Sequence, residues 1–200
     1  MSRAPLVGRP SLLDFTMISS RISTRLYTTC IVGTGPSAFY TVKYLLSSPT
    51  PPSHITLLDT SPCPFGLIRS GVAPDHQDVK NAVNEYTTVY NKNAAKLSLF
   101  GNVTVSSPSN PSDLTVADLQ ARFTTVILSY GCQKDRHLDL PYIDAPTNSP
   151  VAIVPNNLPI FPSRSLVNFY NGHPVPAPPL PATFPNVVVI GAGNVSLDVR

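Results

Sequence analysis

The sequence predicts an α/β protein built around a doubly wound parallel sheet. An apolar, β-branched run ends in a glycine at position 33 and leads directly into a helix at 36–47. A second continuous apolar run, at 124–130, is typical of a central parallel strand that is buried on both faces. Strands and helices alternate between these two runs, which is the pattern of a parallel sheet covered by helices.

The other elements follow from periodicity and from breaking residues. The first helix directs Phe39, Val42 and Leu46 toward the sheet, and the Ser/Pro/Thr-rich segment 47–53 is a loop. We further predict a strand at 54–59, a helix at 79–99 with Asp78 as its N-cap, a strand at 102–106 and a helix at 118–123.

A glycine-rich turn connects the first strand to the first helix. Gly33 permits the tight turn, Gly35 lets the backbone approach a phosphate without a Cβ, and Ala38 is small enough for helix and strand to pack closely. Pro36 opens the helix, whose unpaired N–H groups and positive dipole end face an anion. This Rossmann-type pattern predicts a cradle for a dinucleotide pyrophosphate.

An acidic residue stands where such a fold contacts the ribose. Asp59 closes the second strand, about 20 residues after the first helix begins. A carboxylate there accepts hydrogen bonds from ribose hydroxyls and repels a 2′-phosphate, so the first cradle is predicted to hold the AMP half of FAD or NAD. The alternative is that Asp59 is only a solvated strand end.

A second copy of the turn follows near the end of the sequence. The run 186–190 is a predicted strand, and Gly191 and Gly193 lead through Asn194, Val195 and Ser196 into an incipient helix. Two cradles in one chain predict a flavin and a nicotinamide held by successive Rossmann-type domains. Because the sequence stops at Arg200, within that helix, we expect it to be a fragment and the 186–200 segment to be poorly anchored.

Composition divides the chain into four predicted segments. Residues 1–27 carry four arginines, no lysine and one aspartate, as a mitochondrial transit peptide does; a disordered leader or a misjudged start codon is the alternative. The predicted FAD-binding domain is 28–140, followed by a connection at 141–185 with twelve prolines and one ordered piece at 163–170. The 186–200 segment begins a nicotinamide-binding domain.

Charge and cysteine usage exclude several classes of function. The net charge of +3 equals that of the predicted transit peptide, so it indicates import rather than nucleic-acid binding. Cys30, Cys63 and Cys132 lack metal-site or vicinal-dithiol spacing, and the four histidines form no ligand cluster, so no metal site is predicted.

Several motifs together resemble the N-terminal part of the mitochondrial NADPH:adrenodoxin (ferredoxin) oxidoreductases. The most specific is PCPFGLIRSGVAPDH at 62–76. The others are VKN at 79–81, FGNVTV at 100–105, VILSYG at 126–131, FYNG at 169–172 and GNVSLDV at 193–199.

The resemblance implies that FAD lies on the first domain, that NADPH binds the second, and that electrons pass singly to a [2Fe–2S] ferredoxin. It also implies a monomeric protein of the mitochondrial matrix, peripheral to the inner membrane. It places Ser37, Asp59 (usually Glu), Leu67 and Val105 at FAD contacts. Gly193, Asn194, Val195 and Ser196 fall at the NADP pyrophosphate.

Some residues of the specific block keep two interpretations. Gly66 and Arg69 are predicted to bind the cofactor, with Arg69 facing the flavin or the phosphate, although Arg69 could instead pair with a surface acid. Asp75 and His76 could tune the flavin or shuttle a proton, or they could cap the turn before the following helix.

Departures from the family pattern leave other functions open. Pro141 is followed by Tyr142 where the family has glycine, and a proline-rich insertion, interpreted as a surface feature, occupies 142–158. The alternatives are a non-catalytic FAD-binding remnant and another two-domain oxidoreductase, such as a glutamate synthase-type reductase module. The latter would be expected to bring cysteine-rich iron–sulfur segments.

Overall fold

A computed structural model describes residues 27–106, 114–132, 152–154, 158–173, 188–193 and 195–196. Within them lies a four-stranded parallel sheet of order β3-β2-β1-β4. The strands are β1 (Thr28–Val32), β2 (His54–Leu58), β3 (Leu97–Phe100) and β4 (Thr125–Leu128). The α/β class and the parallel sheet are therefore confirmed.

The described residues divide into two compact units. The first comprises the described residues through Pro64 together with Tyr86–Gly131, and contains the whole parallel sheet. The second comprises Phe65–Glu85 and the described residues from Cys132 onward.

The two inner strands of the sheet, β1 and β2, are β-branched and leucine-rich runs that are buried on both faces. All five residues of β1 are buried, and β1 pairs with β2 from Thr28 opposite His54 to Val32 opposite Leu58. One core cluster comprises Cys30, Val32, Leu58, Val103 and Leu119. This core fixes the carboxyl ends of β1 and β2, from which the glycine turn and Asp59 extend.

Helix α1 (Pro36–Leu46) confirms the helix predicted at 36–47. Pro36 lies in its first turn, where a missing N–H costs nothing. Its buried face includes Phe39, whose ring stacks on Tyr86 with 5.0 Å between centroids.

The single helix predicted at 79–99 is wrong. The structure has α3 (Gln77–Lys80), α4 (Ala82–Lys92), a turn at 93–96, and then β3. His76, not Asp78, is the N-cap residue of α3, and Asp78 lies in its first turn. Pairing of Leu97 with Ile55 of β2 makes 97–100 a strand, because a short apolar run takes the state in which it can be buried.

The strand predicted at 102–106 is also wrong, since only an isolated parallel bridge between Val105 and Leu114 occurs there. The helix predicted at 118–123 forms earlier, as α5 (Val116–Gln120). Thr115 caps it in a reciprocal capping box with Asp118.

The strand predicted at 124–130 is confirmed as β4, but its central position is wrong. Among the described residues β4 pairs only with β1 and lies at the edge of the sheet, and Leu128 is exposed. The continuous apolar run therefore predicted a strand correctly but did not predict its position in the sheet.

The second unit contains short elements. These are α2 (Gly66–Ser70), α3, strands β5 (Ala152–Val154) and β6 (Leu158–Ile160), and α6 (Ser163–Tyr170). Helix α6 confirms the ordered piece predicted at 163–170, whereas the antiparallel β5–β6 pair was not predicted in the proline-rich segment.

Other predictions fall partly or wholly on residues that the structure does not describe. The strand predicted at 186–190 is absent at 188–190, where Val188 and Ile190 are exposed. Residues 1–26 of the predicted transit peptide, residues 142–151 and 155–157 of the predicted insertion, and Asn194 lie outside the described residues. No helix within the described ranges has both the length and the apolarity needed to cross a bilayer.

Candidate dinucleotide-binding site

The strand order places the first glycine turn at a topological switch point. The chain winds from β1 through β2 to β3 on one side, and β4 then adds to the opposite side of β1. In open α/β sheets ligands bind outside the carboxyl ends of the strands at such a point. Gly33 follows β1 and Ser129 follows β4, so both residues border this position.

Gly33 is required by the backbone itself. Its φ is +115°, in the region that side chains disfavour, and its N–H donates to the Leu58 carbonyl at 2.6 Å. A Cβ on Gly33 would lie 2.2 Å from the Ser129 carbonyl oxygen. The turn consequently passes directly against the end of β4.

Gly35 has the opposite environment. It is the N-cap residue of α1, with φ −75° and ψ −174°, and a Cβ there would meet no atom within 4 Å. No side chain caps this helix end, and its first turn holds no acidic residue. An open, uncapped helix N-terminus beside a residue without a side chain fits an anionic diphosphate.

Ser37 and Ala38 complete the start of the helix. Ala38 is fully buried, as its predicted role in close helix–strand packing requires. The Ser37 hydroxyl hydrogen-bonds with the Ser129 hydroxyl, and the Ser129 N–H donates to the Val32 carbonyl at 2.7 Å. Ser129 was not identified from the sequence because it falls within the strand predicted at 124–130, although it belongs to the VILSYG motif at 126–131.

Asp59 hydrogen-bonds to the glycine turn. One carboxylate oxygen, Oδ2, accepts from the Thr34 N–H at 2.8 Å and from the Thr34 hydroxyl. The other, Oδ1, accepts from the Ser61 N–H at 2.9 Å. The predicted ribose-binding acid therefore lies beside the cradle and also hydrogen-bonds within the protein.

Val105, a predicted flavin contact, packs against the core cluster defined above and is partly buried. The segment before it comes close to the loop after Asp59, because a Cβ on Gly101 would lie 2.9 Å from the Ser61 carbonyl oxygen.

The part of the 62–76 block that belongs to the second unit begins with a strained backbone. Phe65 has φ +86°, which is an outlier for a bulky residue, and Gly66 follows with φ +50° at the start of α2. Leu67 is 57% exposed. The Arg69 guanidinium lies 5.3 Å from the Phe65 ring centroid, within cation–π range.

Asp75 and His76 lie at the turn before α3. His76 Nδ1 is 3.2 Å from Asp75 Oδ1, and both side chains are largely exposed. The His76 N–H closes the turn onto the Ala73 carbonyl at 3.1 Å, but the His76 side chain does not cap the helix.

A polar network that the sequence did not reveal links the FYNG segment to this block. Asn171 Nδ2 donates to the carbonyls of Ser70, Val72 and Val167, and its Oδ1 accepts from Lys80 Nζ at 2.6 Å. Burial lowers the pKa of Lys80, and the Arg69 charge lowers it further. Lys80 and Arg69 border a shallow cleft of about 300 Å³ that is also lined by Gln77, Asn81 and Asn84.

Comparison with known proteins identifies sequence relatives of this chain. No family model matches the chain. Human mitochondrial NADPH:adrenodoxin oxidoreductase is 36% identical over 171 residues, covering 85% of this chain and 30% of the human protein. The probable Saccharomyces cerevisiae enzyme is 36% identical over 201 residues, covering 94% of this chain and 37% of the yeast protein. This chain is homologous to the N-terminal third of the NADPH:adrenodoxin oxidoreductases.

Solved structures agree with this relationship. The Mycobacterium tuberculosis oxidoreductase FprA, solved in one case in complex with NADPH, matches with a TM-score of 0.57 and 31% identity. The match covers 74% of this chain and 30% of FprA. The chain thus spans about a third of the length of the adrenodoxin oxidoreductases and of FprA.

The structure describes part of the second glycine turn. Gly191 has φ +129°, and a Cβ on it would lie 2.8 Å from the Ser196 hydroxyl. The Ser196 N–H donates to the Gly193 carbonyl at 2.9 Å, and a Cβ on Gly193 would meet no atom within 4 Å. Val195 is partly exposed.

The described residues contain no group of three or more His, Cys, Asp and Glu side chains that could hold a metal ion. Cys30, Cys63 and Cys132 are free thiols. Burial raises the pKa of Cys30 to about 12, so this thiol stays protonated at neutral pH.

Proposed function

We propose that this chain is the FAD-binding N-terminal part of a flavoprotein that transfers electrons from NADPH to a mitochondrial [2Fe–2S] ferredoxin. The observation that carries the proposal is the open glycine turn at the switch point, where Gly35 leaves the uncapped end of α1 accessible. Homology to the adrenodoxin oxidoreductases supports the choice of FAD over NAD at this turn.

The residues of the first unit would hold the cofactor in defined roles. The turn from Gly33 to Gly35 and the N–H groups of Ser37 and Ala38 would bind the diphosphate. Asp59 would contact the ribose of the AMP half. Val105 stays a predicted contact, as do three residues of the second unit: Gly66, Leu67 and Arg69.

FAD, when bound, supplies a two-electron acceptor that can release its electrons one at a time. The protein side chains then need only to bind, to orient and to handle protons. Asp75 Oδ1 lies 3.2 Å from His76 Nδ1 and favours the Nδ1–H tautomer. We therefore propose His76 Nε2 as an atom at which a proton is exchanged.

The nicotinamide half of the proposal concerns the longer protein. Gly191, Gly193, Asn194, Val195 and Ser196 would form the NADPH diphosphate turn. Because the chain spans about a third of its relatives, NADPH oxidation and ferredoxin reduction are proposed for a protein that includes a complete nicotinamide domain. A monomeric protein in the mitochondrial matrix, peripheral to the inner membrane, is the corresponding proposal for location.

A second candidate function is FAD binding without NADPH oxidation by this chain. The observation that favours it is the exposure of Val188 and Ile190, which precede the second glycine turn without forming a strand. Reduction of ferricyanide by NADPH in the presence of the FAD-loaded chain would distinguish the two candidates. Turnover would exclude the second one.

Titration of FAD into the purified chain, followed by quenching of flavin fluorescence, tests the proposed cradle. Gly35→Val should weaken FAD binding at least about tenfold, because the added side chain occupies the diphosphate position. The urea unfolding midpoint of this variant should stay close to that of the parent chain, since no protein atom lies within 4 Å of a Cβ at position 35.

Gly193→Val is the matched control. It changes the corresponding glycine of the second turn, which also has open space around it, and it should leave FAD affinity unchanged. Equal FAD binding by Gly35→Val and the parent would refute the cradle.

A further inference from the structure

Asp59 uses most of its hydrogen-bonding capacity inside the protein. A carboxylate offers about four acceptor positions, two on each oxygen. Oδ2 accepts from the N–H and the hydroxyl of Thr34, and Oδ1 accepts from the Ser61 N–H. Three positions are therefore occupied and one remains, on Oδ1.

The donors on Thr34 depend on this carboxylate. Thr34 lies between the two glycines of the turn and has no exposed surface. A buried N–H and hydroxyl are costly without partners, and Asp59 satisfies both of them. The conformation of the Gly33–Gly35 turn is consequently linked to the acid that directly follows the neighbouring strand β2, 25 residues later in the chain.

The backbone of Asp59 is also held in place. Its N–H donates to the Phe100 carbonyl at 3.0 Å, and its carbonyl accepts from the Val103 N–H at 2.8 Å. The Asp59 side chain is one methylene shorter than the Glu that is usual in the family, so a small backbone shift would be needed to bring its carboxylate closer to a ribose. These two backbone hydrogen bonds oppose such a shift. Asp59 therefore keeps its hydrogen bonds to Thr34.

We infer that Asp59 is a positioning residue that holds the glycine turn through Thr34, and that it keeps one acceptor position for a single ribose hydroxyl. The ribose part of this inference rests on the proposed function. Nucleotide binding would then depend strongly on one hydroxyl of the cis-diol and weakly on the other.

Amide hydrogen exchange tests the positioning role without any ligand. In Asp59→Ala, and in Asp59→Asn should the alanine variant fail to fold, the Thr34 and Ser61 amides should exchange at least about tenfold faster. Asp118→Ala is the matched control, because Asp118 accepts from the N–H and hydroxyl of Thr115 in the same way. It should accelerate exchange around α5 and leave Thr34 unchanged.

Unchanged Thr34 exchange in a folded Asp59 variant would overturn the positioning role. The positioning role would also be overturned if Asp118→Ala accelerated amide exchange of Thr34 as much as the Asp59 variants do. General loosening of the unit would then be the cause.

Calorimetric titration with ADP, 2′-deoxy-ADP and 3′-deoxy-ADP tests the single acceptor. Loss of one hydroxyl should weaken binding about tenfold, the effect of one hydrogen bond to a charged group, and loss of the other less than about twofold. Thr34→Val removes the hydroxyl donor and frees a position on Oδ2. This variant should gain dependence on the second hydroxyl, which a purely structural role of Asp59 would not produce.

Equal losses for both deoxy analogues in the parent chain would overturn the single-acceptor inference. A chain that binds neither ADP nor FAD would contradict the proposed function and the ribose contact together. The exchange rates of Thr34 would still decide the positioning role, so the two failures are distinguishable.

Discussion

Replacing Gly33 by alanine should destabilise the first unit more than any other single methyl addition in the turn. A non-glycine residue in the left-handed region costs about 1–2 kcal/mol. The new Cβ would also lie 2.2 Å from the Ser129 carbonyl oxygen and 2.9 Å from Tyr130 Cα, and overpacking of this kind costs about 1–3 kcal/mol. The free energy of unfolding should therefore fall by about 2–5 kcal/mol.

Gly131→Ala separates the two contributions. Gly131 has φ +65°, but a Cβ there meets no atom within 4 Å, so this variant should lose only the conformational part, about 1–2 kcal/mol. Urea unfolding followed by circular dichroism measures both variants against the parent. If Gly33→Ala is no less stable than Gly131→Ala, the close approach of the turn to β4 is wrong.

Three further predictions concern other groups. Burial lowers the pKa of His54, so the unfolded state takes up its proton first as the pH falls; the urea midpoint should decrease below about pH 6.5, and His54→Gln should flatten this dependence. Ellman's reagent should modify the exposed Cys132 in the native chain but Cys30 only after unfolding, and equal native rates would contradict the burial of Cys30. Asn171→Leu removes the hydrogen bonds to three carbonyls and to Lys80, and should reduce the stability of the second unit by about 2–3 kcal/mol, measured by amide exchange across 66–80.

The first βαβ unit could be predicted from sequence because local signals and tertiary pairing agree there. The β-branched run at 28–32, the glycine turn and the proline at the helix start each indicate the same boundaries. The prediction of a single helix at 79–99 was wrong because the apolar positions of this segment fit a helical period throughout. Pairing of 97–100 with β2, which the local pattern does not contain, decided the state of its last residues.

The site was predictable as a set of residue types but not as a set of contacts. Gly33, Gly35 and Asp59 were identified from spacing alone, and the structure places them around the switch point. The hydrogen bonds from Thr34 to Asp59 and between Ser37 and Ser129 join residues far apart in sequence. They follow from the strand order, which a single sequence leaves open.

The strand order also affects how this chain folds. Of the four strands of the parallel sheet, β1 comes first in the chain and β4 comes last, and the two pair with Thr29 opposite Thr125. Contacts between segments so distant in sequence require closure of a long loop, which slows folding. A chain in which only β1, β2 and β3 have paired therefore exposes one edge of β1, all five residues of which are buried in the complete sheet. Until β4 pairs with β1, we expect this free edge to favour aggregation of the partly folded chain.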